Sequence, residues 1–319
     1  MTRKFAILIF PGFPMMAFSA VIEPLRAANT LAGEALYQWS IVGSEEGIIR
    51  ASNGIAVTPD FSAQNAPPAD YIVVCSGGDA DRLQAVQPLN WIRKSLRGGG
   101  NIGSVADGAF YLGRAGLLDG YRCTIHWEDV PSFAENFPHL DVTERLFEID
   151  RDRFTCSGGT APLDLMLHFI GRDYGHALAL EVADLMLHHA TRMSDQPQRL
   201  SLRERTGLSH VKLLDVLARM EAAIEEPQPI EALAAAAGLS QRQCERLFHD
   251  HLATTPHRHY LHLRLKRARH LLQHTSAPVM QVGLSTGFAS AAHFAKCYRE
   301  AFGRTPRAER GAAAQPVLG

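Results

Sequence analysis

The sequence predicts two domains of different classes, an α/β domain followed by an all-α domain. Its 319 residues are about twice the length of a typical domain. Short apolar runs alternate with helical stretches over residues 1–175, and the pattern from residue 176 onward is helical. Hydrophobic residues make up 46% of the chain and charged residues 20%, so both domains can bury a core. This composition excludes a wholly disordered chain and a small disulfide-held domain.

Four apolar runs in the first half have the length and boundaries of buried strands. They are residues 5–10, 37–43, 71–75 and 101–105. Helical stretches at residues 17–31 and 91–96 separate them, and this alternation predicts a mainly parallel sheet. Ligands of such sheets bind at the carboxyl ends of the strands. The candidate segments are therefore residues 11–13, 76–78, 106–108 and 158–160.

The second half reads as a series of helices with short breaks at glycine and proline. Residues 177–189 are predicted as one helix, and residues 211–225 as another. We expect an N-terminal domain over residues 1–190 and a polar linker over 191–210, which contains Pro197 and Gly207. A helical domain over 211–310 and a flexible tail of small residues over 311–319 complete the chain.

The cysteines indicate neither a metal site nor a disulfide framework. They are five, far apart and outside any CxxC pair: Cys75, Cys123, Cys156, Cys244 and Cys297. We therefore predict no metal or other cofactor and a reducing, cytoplasmic compartment. No apolar run reaches the roughly 18 residues of a membrane span. The apolar start ends at Pro11-Gly12 without a small-residue cleavage site, which favours a buried strand over a signal peptide.

A net charge of −1 hides a strong asymmetry along the chain. Residues 238–310 carry 12 Lys and Arg against four acidic residues, and the remainder carries 20 against 29. A basic segment on an acidic body predicts a polyanion as partner for one end only.

Two segments within this basic region follow the pattern of a helix, a glycine turn and a capped helix. Residues 230–237 precede Gly238, and Ser240 can cap the helix that follows. Residues 279–286 precede Gly287, and a further helix starts near Ser290. This is the pattern of the helix-turn-helix motif. A helix over residues 257–274 would hold the two motifs at a separation suited to major-groove segments one DNA turn apart.

The residues of these motifs resemble the AraC/XylS-type transcription activators. The resemblance rests on GFASAAHFAKCYREAFGRTP at 287–306 and AGLSQRQCERLF at 237–248, and it covers residues 215–310. Pro256, Tyr260, Arg264 and Ala268 also match the family's pattern. One departure is Glu309, which stands where the family usually has a Tyr.

The resemblance implies which residues contact DNA. The exposed face of the first reading helix is Ser240, Gln241, Arg242, Glu245 and Arg246; that of the second is Ser290, Ala291, Ala292, His293 and Lys296. Arginine can read guanine, whereas alanine can only touch a thymine methyl, so the first helix should read more bases. Lys266, Arg267, Arg299 and Arg304 are expected to contact phosphates.

The N-terminal half contains the layout of a nucleophile elbow at residues 102–110, IGSVADGAF. With FPGF at 10–13, VVCSGG at 73–78, AGLLDG at 115–120 and TIHW at 124–127, it resembles the ThiJ/PfpI fold, a class I glutamine amidotransferase-like, flavodoxin-like fold. Active members carry a cysteine at the elbow, where this chain has Ala106. Ala17 stands where the helical acid is expected, with Glu23 two turns further on. A methyl group cannot attack a carbonyl, so the resemblance implies a domain without catalytic residues.

Such a domain is suited to binding a small molecule. The helix after Ala106 would aim N–H groups at a carboxylate, and Gly77 and Gly78 permit close backbone approach. A tryptophan beside acids can hold a quaternary ammonium group. The predicted ligand-binding residues are Phe13, Gly77, Gly78, Asp107, His126, Trp127 and Glu128.

The two domains together resemble the GlxA-like group of regulators, which includes regulators of arginine, glycine betaine and carnitine catabolism. This implies a ligand-responsive transcriptional regulator, an activator, that senses a small nitrogenous metabolite. Promoter DNA, the effector, RNA polymerase and a second copy of the chain are its expected partners. The main alternative is an amidase-like hydrolase or lyase tethered to DNA, which Ala106 disfavours. A third interpretation is a constitutive architectural DNA binder whose N-terminal domain only dimerises.

Overall fold

The computed structural model describes residues 2–77, 86–275 and 277–313. The chain divides after Gln198 into two compact units, which we call the sheet unit and the helical unit. The division falls inside the segment predicted as a linker. Within the described residues, no helix is both long enough and apolar enough to cross a membrane.

The sheet unit is an α/β fold built on one large sheet. Its strands are β1 (Arg3–Ile9), β2 (Tyr37–Gly43), β3 (Ile49–Arg50), β4 (Ala56–Val57), β5 (Phe61–Ser62), β6 (Tyr71–Ser76), β7 (Asn101–Ala106), β8 (Arg122–Thr124), β9 (Asp141–Thr143), β10 (Phe147–Asp150) and β11 (Arg153–Cys156). Seven of them form the sheet in the order β10-β11-β7-β6-β1-β2-β5. All neighbours are parallel except β10 and β11. The predicted α/β class with a mainly parallel sheet is confirmed.

Helices cover both faces of this sheet. They are α1 (Met15–Ala32), α2 (Val86–Arg97), α3 (Gly108–Arg114), α4 (Val130–Asn136), α5 (Ala161–Tyr174) and α6 (His176–Leu185). Phe5, Ile7 and Ile9 pack into the core under α1, α5 and α6, whereas Ala6 and Leu8 pack into the core on the opposite face. Because successive side chains of a strand point to opposite faces, a central strand between two helix layers is apolar throughout.

The helix predicted over residues 177–189 ends earlier, at Leu185. Leu187 has a φ of 55°, in the left-handed region. The His188 N–H donates to the Ala183 carbonyl at 2.8 Å, and the Leu187 N–H donates to the Asp184 carbonyl at 2.9 Å. This is the hydrogen-bond pattern of a helix C-terminus closed by a left-handed residue, and the prediction of a longer helix was wrong.

The helical unit contains α7 (Leu202–Thr206), α8 (Val211–Ala222), α9 (Ile230–Ala236), α10 (Gln241–Leu252), α11 (Pro256–His274), α12 (Val279–Ser285), α13 (Ala291–Phe302) and α14 (Pro306–Ala313). Two buried clusters lie within it, one around Phe248 and one around Phe294. The long helix α11 contributes Tyr260 to the first cluster and Leu265 to the second. It therefore joins two small cores, each of which supports one pair of short helices. The predicted all-α class is confirmed.

Candidate functional site

The first helix-turn-helix unit consists of α9, a turn at Gly238 and α10. Gly238 has a φ of +66°, and the Ser240 side chain accepts a hydrogen bond from the Gln243 N–H at 3.3 Å. The Gln243 side chain in turn accepts from the Ser240 N–H at 2.8 Å, which completes a capping box. Lys212 of α8 donates to the Gly238 carbonyl at 2.7 Å, which fixes the turn to α8.

The second unit repeats this arrangement with α12, Gly287 and α13. Gly287 has a φ of +78°, and a Cβ there would approach the Ile224 carbonyl to 2.8 Å. Ser290 caps α13 by accepting from the His293 N–H at 3.4 Å. Local geometry thus requires glycine at this turn and favours serine at this cap.

Arg264 of α11 fixes the second turn to the central helix. Its guanidinium donates to the Thr286 carbonyl at 2.8 Å and to the Gly287 carbonyl at 2.6 Å. It also lies 4.3 Å from the ring centroid of Phe288. These contacts hold the second turn, and with it the start of α13, against α11.

The residues predicted to contact DNA lie on the outer faces of α10, α11 and α13. Arg267 is half-buried, and the others are exposed: Ser240, Gln241, Arg242, Glu245, Arg246, Lys266, Ser290, Ala291, Ala292, His293, Lys296 and Arg299. Gln241 Nε2 donates to Glu245 Oε1 at 3.1 Å, so these two side chains of α10 act together. Arg304 is also exposed, and its Nε lies 3.6 Å from Glu309. The assignment of individual contacts stays a prediction.

In the sheet unit, the elbow keeps its bent backbone although no nucleophile stands on it. Ala106 has a φ of 53°, an unfavourable value for a residue with a Cβ. Gly158 lies directly beside it, because a Cβ on Gly158 would come within 3.0 Å of the Ala106 Cβ. Gly108 allows α3 to start against β6, where a Cβ would approach the Val74 carbonyl to 2.3 Å.

The ends of four parallel strands meet around this elbow. The Asp107 N–H donates to the Ser76 carbonyl at 3.0 Å, which joins the ends of β7 and β6. A Cβ on Gly77 would lie 3.0 Å from the Gly12 carbonyl, so the chain after β1 is equally close. We call the segments 12–13, 76–77, 106–107, 125–128 and 157–159 the elbow site.

The loop that carries His126 and Trp127 starts at the same edge of the sheet. The Arg122 N–H donates to the side chain of Asp150 at 3.0 Å, and the Thr124 N–H donates to Thr155 Oγ1 at 2.7 Å. The short strand β8 therefore runs alongside β11 in the same direction. Both strands end at the edge of the sheet where Ala106 and Gly158 lie, so residues 125–128 begin at the edge that carries the elbow.

His126, Trp127 and two acids form a compact group within this loop. The ring centroids of His126 and Trp127 are 5.5 Å apart. His126 Nδ1 lies 3.9 Å from a Glu128 carboxylate oxygen and 3.8 Å from one of Asp129. An aromatic ring beside carboxylates matches a cationic ligand group. Asp129 is a member of this group that the sequence analysis missed.

The other predicted ligand-binding residues differ from one another in burial and in their contacts. Phe13 is fully buried and packs edge-on against Phe18, with ring centroids 5.2 Å apart. Gly77 is buried beside Gly12, Asp107 is half-buried at the elbow, and Gly78 lies outside the described residues. The helix α3 has only seven residues, so it gives weaker support to a carboxylate than the sequence suggested. The ligand contacts stay predictions.

Catalytic groups are missing from the positions where the elbow would need them. Ala17 is fully buried, and Glu23 forms an exposed ion pair with Arg26 at 2.7 Å. Burial, with the nearby charge of Asp107, raises the pKa of the Cys75 thiol, so its nucleophilic thiolate form is disfavoured. Among residues 2–77, 86–275 and 277–313, no cluster of three or more His, Cys, Asp or Glu is placed to hold a metal ion.

Comparison with known proteins identifies both units. Residues 3–172 match the DJ-1/PfpI family, and residues 233–312 match a helix-turn-helix domain family. The HTH-type transcriptional regulator GlxA of Rhizobium meliloti (strain 1021) is 38% identical over 305 residues, which cover 95% of this chain and 94% of that protein.

The chain belongs to the GlxA-like transcriptional regulators.

Two further relatives and two solved structures agree with this. The regulators GbdR and CdhR of Pseudomonas aeruginosa are 41% and 40% identical; each alignment covers 97% of this chain, with 84% of GbdR and 92% of CdhR. An AraC family transcriptional regulator from Pseudomonas putida matches with a TM-score of 0.51 and 28% identity over 58% of this chain and 99% of its own. A ThiJ/PfpI family protein from Pseudomonas syringae shares the fold of the sheet unit, with a TM-score of 0.51 and 24% identity. The match covers 75% of this chain and 92% of that protein. The predicted DNA-binding transcriptional regulator is confirmed.

The sequence analysis also missed a second group of residues in the regulator. These residues form hydrogen bonds that attach residues 188–198 to the rest of the sheet unit: Asp164, His188, Arg192 and Gln198. One signal was available, because Asp164 is a charged residue in the apolar run of α5 and is only 1% exposed. A buried carboxylate requires partners, but the sequence does not say which.

Proposed function

We propose that the regulator is a cytoplasmic, ligand-responsive activator that binds promoter DNA with both helix-turn-helix units. Its sheet unit binds a small nitrogenous metabolite at the elbow site, of the class of amino acids, betaines and carnitine-like compounds. It acts as a homodimer and recruits RNA polymerase. Effector binding changes promoter activity by the difference in effector affinity between two states of the protein.

One observation carries the choice of the elbow site. The bent backbone at Ala106 is kept, although neither a nucleophile nor the helical acid is present. Backbone strain costs about 1–3 kcal/mol and persists only where the surrounding structure enforces it. A site that has kept this geometry without its chemistry is suited to binding.

The group around Trp127 supports a cationic effector. Trp127 is half-buried, and Glu128 and Asp129 supply negative charge within one turn of chain. Such a group favours ammonium and quaternary ammonium ligands over neutral or anionic ones.

We further propose that the sheet unit does not catalyse a reaction. Ala106 removes the nucleophile, and the raised pKa of Cys75 leaves the neighbouring thiol protonated at neutral pH. The regulators to which the chain is similar support the same conclusion.

A thermal-shift screen of the full-length protein tests the effector class. The panel contains amino acids, glycine betaine, carnitine and choline, each from low to high concentration. A ligand at 100 times its Kd stabilises the folded state by about 2.7 kcal/mol, so a true effector gives a concentration-dependent rise in melting temperature.

Two tryptophan variants locate the binding site. Trp127→Ala should abolish the stabilisation by the ligand. Trp39→Ala, on strand β2, should keep it, which means that the melting temperature of this variant still rises when ligand is added. Stabilisation by a carboxylate without an ammonium group, such as acetate, but by no ammonium compound of the panel would contradict the cationic class. Loss of the shift in both variants would contradict the elbow site.

A further inference from the structure

The last segment of the sheet unit is hydrogen-bonded to two loops near the elbow. We call residues 188–198 the strap. It follows the end of α6 and leads into the helical unit at residue 199. Its hydrogen bonds reach residues far away in the sequence, so its path is fixed by the sheet unit.

The first end of the strap is held by the buried carboxylate of Asp164. The carboxylate is bonded to His188 Nε2 at 2.8 Å and accepts from the Arg192 backbone N–H at 2.8 Å. It also accepts from the Arg192 guanidinium at 2.7 and 3.0 Å. The same guanidinium donates to Thr160 Oγ1 at 2.7 Å. Thr160 is two residues from Gly158, which packs against Ala106, so this end is connected to the elbow.

The second end is held by the side chain of Gln198. Its Nε2 donates to the Ile125 carbonyl at 2.9 Å, the Arg145 carbonyl at 2.9 Å and Thr124 Oγ1 at 3.1 Å. Ile125 directly precedes His126 and Trp127. Gln198 Oε1 is buried, and no described residue donates a hydrogen bond to it.

The middle of the strap adds backbone contacts to the same region. The Leu146 N–H donates to the Ser194 carbonyl at 3.0 Å, and the Ser157 N–H donates to the Leu146 carbonyl at 3.0 Å. A bridge pairs Arg145 with Pro197. Ser157 is the neighbour of Gly158, so a second route runs from the strap to the elbow.

We propose that the strap is the element that reports occupancy of the elbow site to the helical unit. Arg192 is hydrogen-bonded to the loop at residues 157–160, and Gln198 is hydrogen-bonded to the loop at residues 124–128, so each moves with its loop. Movement of either loop breaks or reforms the hydrogen bonds of Arg192 or Gln198. Because Gln198 is the last residue of the sheet unit, the change passes directly along the backbone. The effector at the elbow is part of the proposed function, on which this inference rests.

Amide hydrogen exchange of the full-length protein tests the connection without an effector. Gly158→Ala places a Cβ against Ala106 and should raise the exchange rate of strap peptides about fivefold. Gly159→Ala is the matched control: Gly159 also has a positive φ, of +60°, but a Cβ there meets no atom within 4 Å. Faster exchange in residues 157–160 with an unchanged strap would overturn the proposal.

The reverse experiment starts from the strap. Gln198→Ala should raise exchange in residues 124–128, because it removes the hydrogen bonds from Gln198 Nε2 to Thr124 Oγ1 and to the Ile125 carbonyl. Gln196→Ala removes an exposed side chain of the same type from the same segment and should leave that loop unchanged. Equal effects of the two variants, or none, would also count against the proposal.

A promoter reporter separates the strap from effector binding. With glycine betaine as probe, Gln198→Ala should lower the induction ratio about tenfold, and a concentration-dependent thermal shift of the full-length protein should still be present at saturating betaine. Unchanged induction in this variant overturns the role of the strap. If the wild-type protein shows neither shift nor induction, the proposed effector fails, and the exchange experiments still decide on the strap.

Discussion

Glu309 is a single buried carboxylate that ties the last helix of the helical unit to α11. It is 2% exposed, and its Oε1 accepts from Gln273 Nε2 at 2.7 Å and from Arg269 Nε at 3.3 Å. In the AraC/XylS resemblance this position usually holds a tyrosine. The carboxylate makes charge-assisted hydrogen bonds here, which are stronger than neutral ones.

We expect Glu309→Gln to lower the free energy of unfolding of the helical unit by about 2 kcal/mol, because Arg269 loses its buried partner. Urea denaturation of the full-length protein measures the change. Glu300→Gln, on the exposed surface of α13, is the control and should cost little. A loss in Glu309→Gln no larger than in the control would contradict this account.

Arg242 and Lys266 should differ in how they contribute to DNA binding. An arginine that reads a base contributes about 1–3 kcal/mol of discrimination, so Arg242→Ala should weaken binding to an operator selected by the wild-type protein about 10- to 100-fold. Lys266→Ala should weaken binding to all sequences. It should also reduce the slope of log affinity against log salt concentration by about 1, because one phosphate contact is lost. Fluorescence anisotropy at several salt concentrations measures both. Equal loss of specific and non-specific affinity in Arg242→Ala would assign it to a phosphate.

Arg264 of α11 holds the turn that precedes α13, so a change in one helix should affect the other. We expect Arg264→Lys to weaken operator binding, because an ammonium group cannot reproduce the paired hydrogen bonds to the second turn and the stacking on Phe288. The second half-site should lose protection in DNA footprinting, and the first should keep it. Arg258→Lys, an exposed residue on the same helix, is the control. Equal loss at both half-sites would indicate general unfolding instead.

The helix α11 should also make the stability of the helical unit depend on pH. Burial lowers the pKa of His259 and of His262, and the Lys266 charge lowers that of His262 further. A histidine with a depressed folded-state pKa binds its proton more readily in the unfolded state, so stability falls as pH drops through about 6.5. Urea unfolding at pH 7.5 and 5.5 should show this fall, and it should be smaller in His259→Gln. The exposed variant His257→Gln should keep the full pH dependence.

Short-range signals made the helices of the reading units predictable. Gly238 with Ser240, and Gly287 with Ser290, fix their turns and caps within a few residues, and the structure places these helix starts where the pattern put them. The four main strands were predictable for a similar reason, because continuous apolar runs indicate burial on both faces.

Long-range contacts explain what could not be predicted. α6 ends at Leu185 and is closed by the left-handed Leu187. The next residue, His188, is bonded to the buried Asp164, 24 residues earlier in the chain. Gln198 bonds to Ile125, 73 residues away, so the strap looked like part of a polar linker. In the elbow site, Ala106 and Trp127 could be named from their motifs, but the contribution of Asp129 depends on how the loop folds back.

At the scale of the whole molecule, separate cores predict separate unfolding. Each unit buries its own apolar clusters, so the full-length protein should unfold in two transitions. Asp164→Asn should shift only the transition of the sheet unit, and Glu309→Gln only that of the helical unit. Differential scanning calorimetry measures both. A single transition that moves with either variant would show that the two units unfold as one.

The continuous helix α11 has a consequence for promoter genetics. Its 19 residues span about 28 Å, and it contributes side chains to the cores that support both turns. One base pair inserted between the half-sites rotates one of them by about 35° around the duplex, since a turn contains about 10–10.5 base pairs. The protein has no hinge within α11 to follow that rotation. Insertions and deletions in the operator spacer should therefore be as damaging as substitutions in the bases that are read.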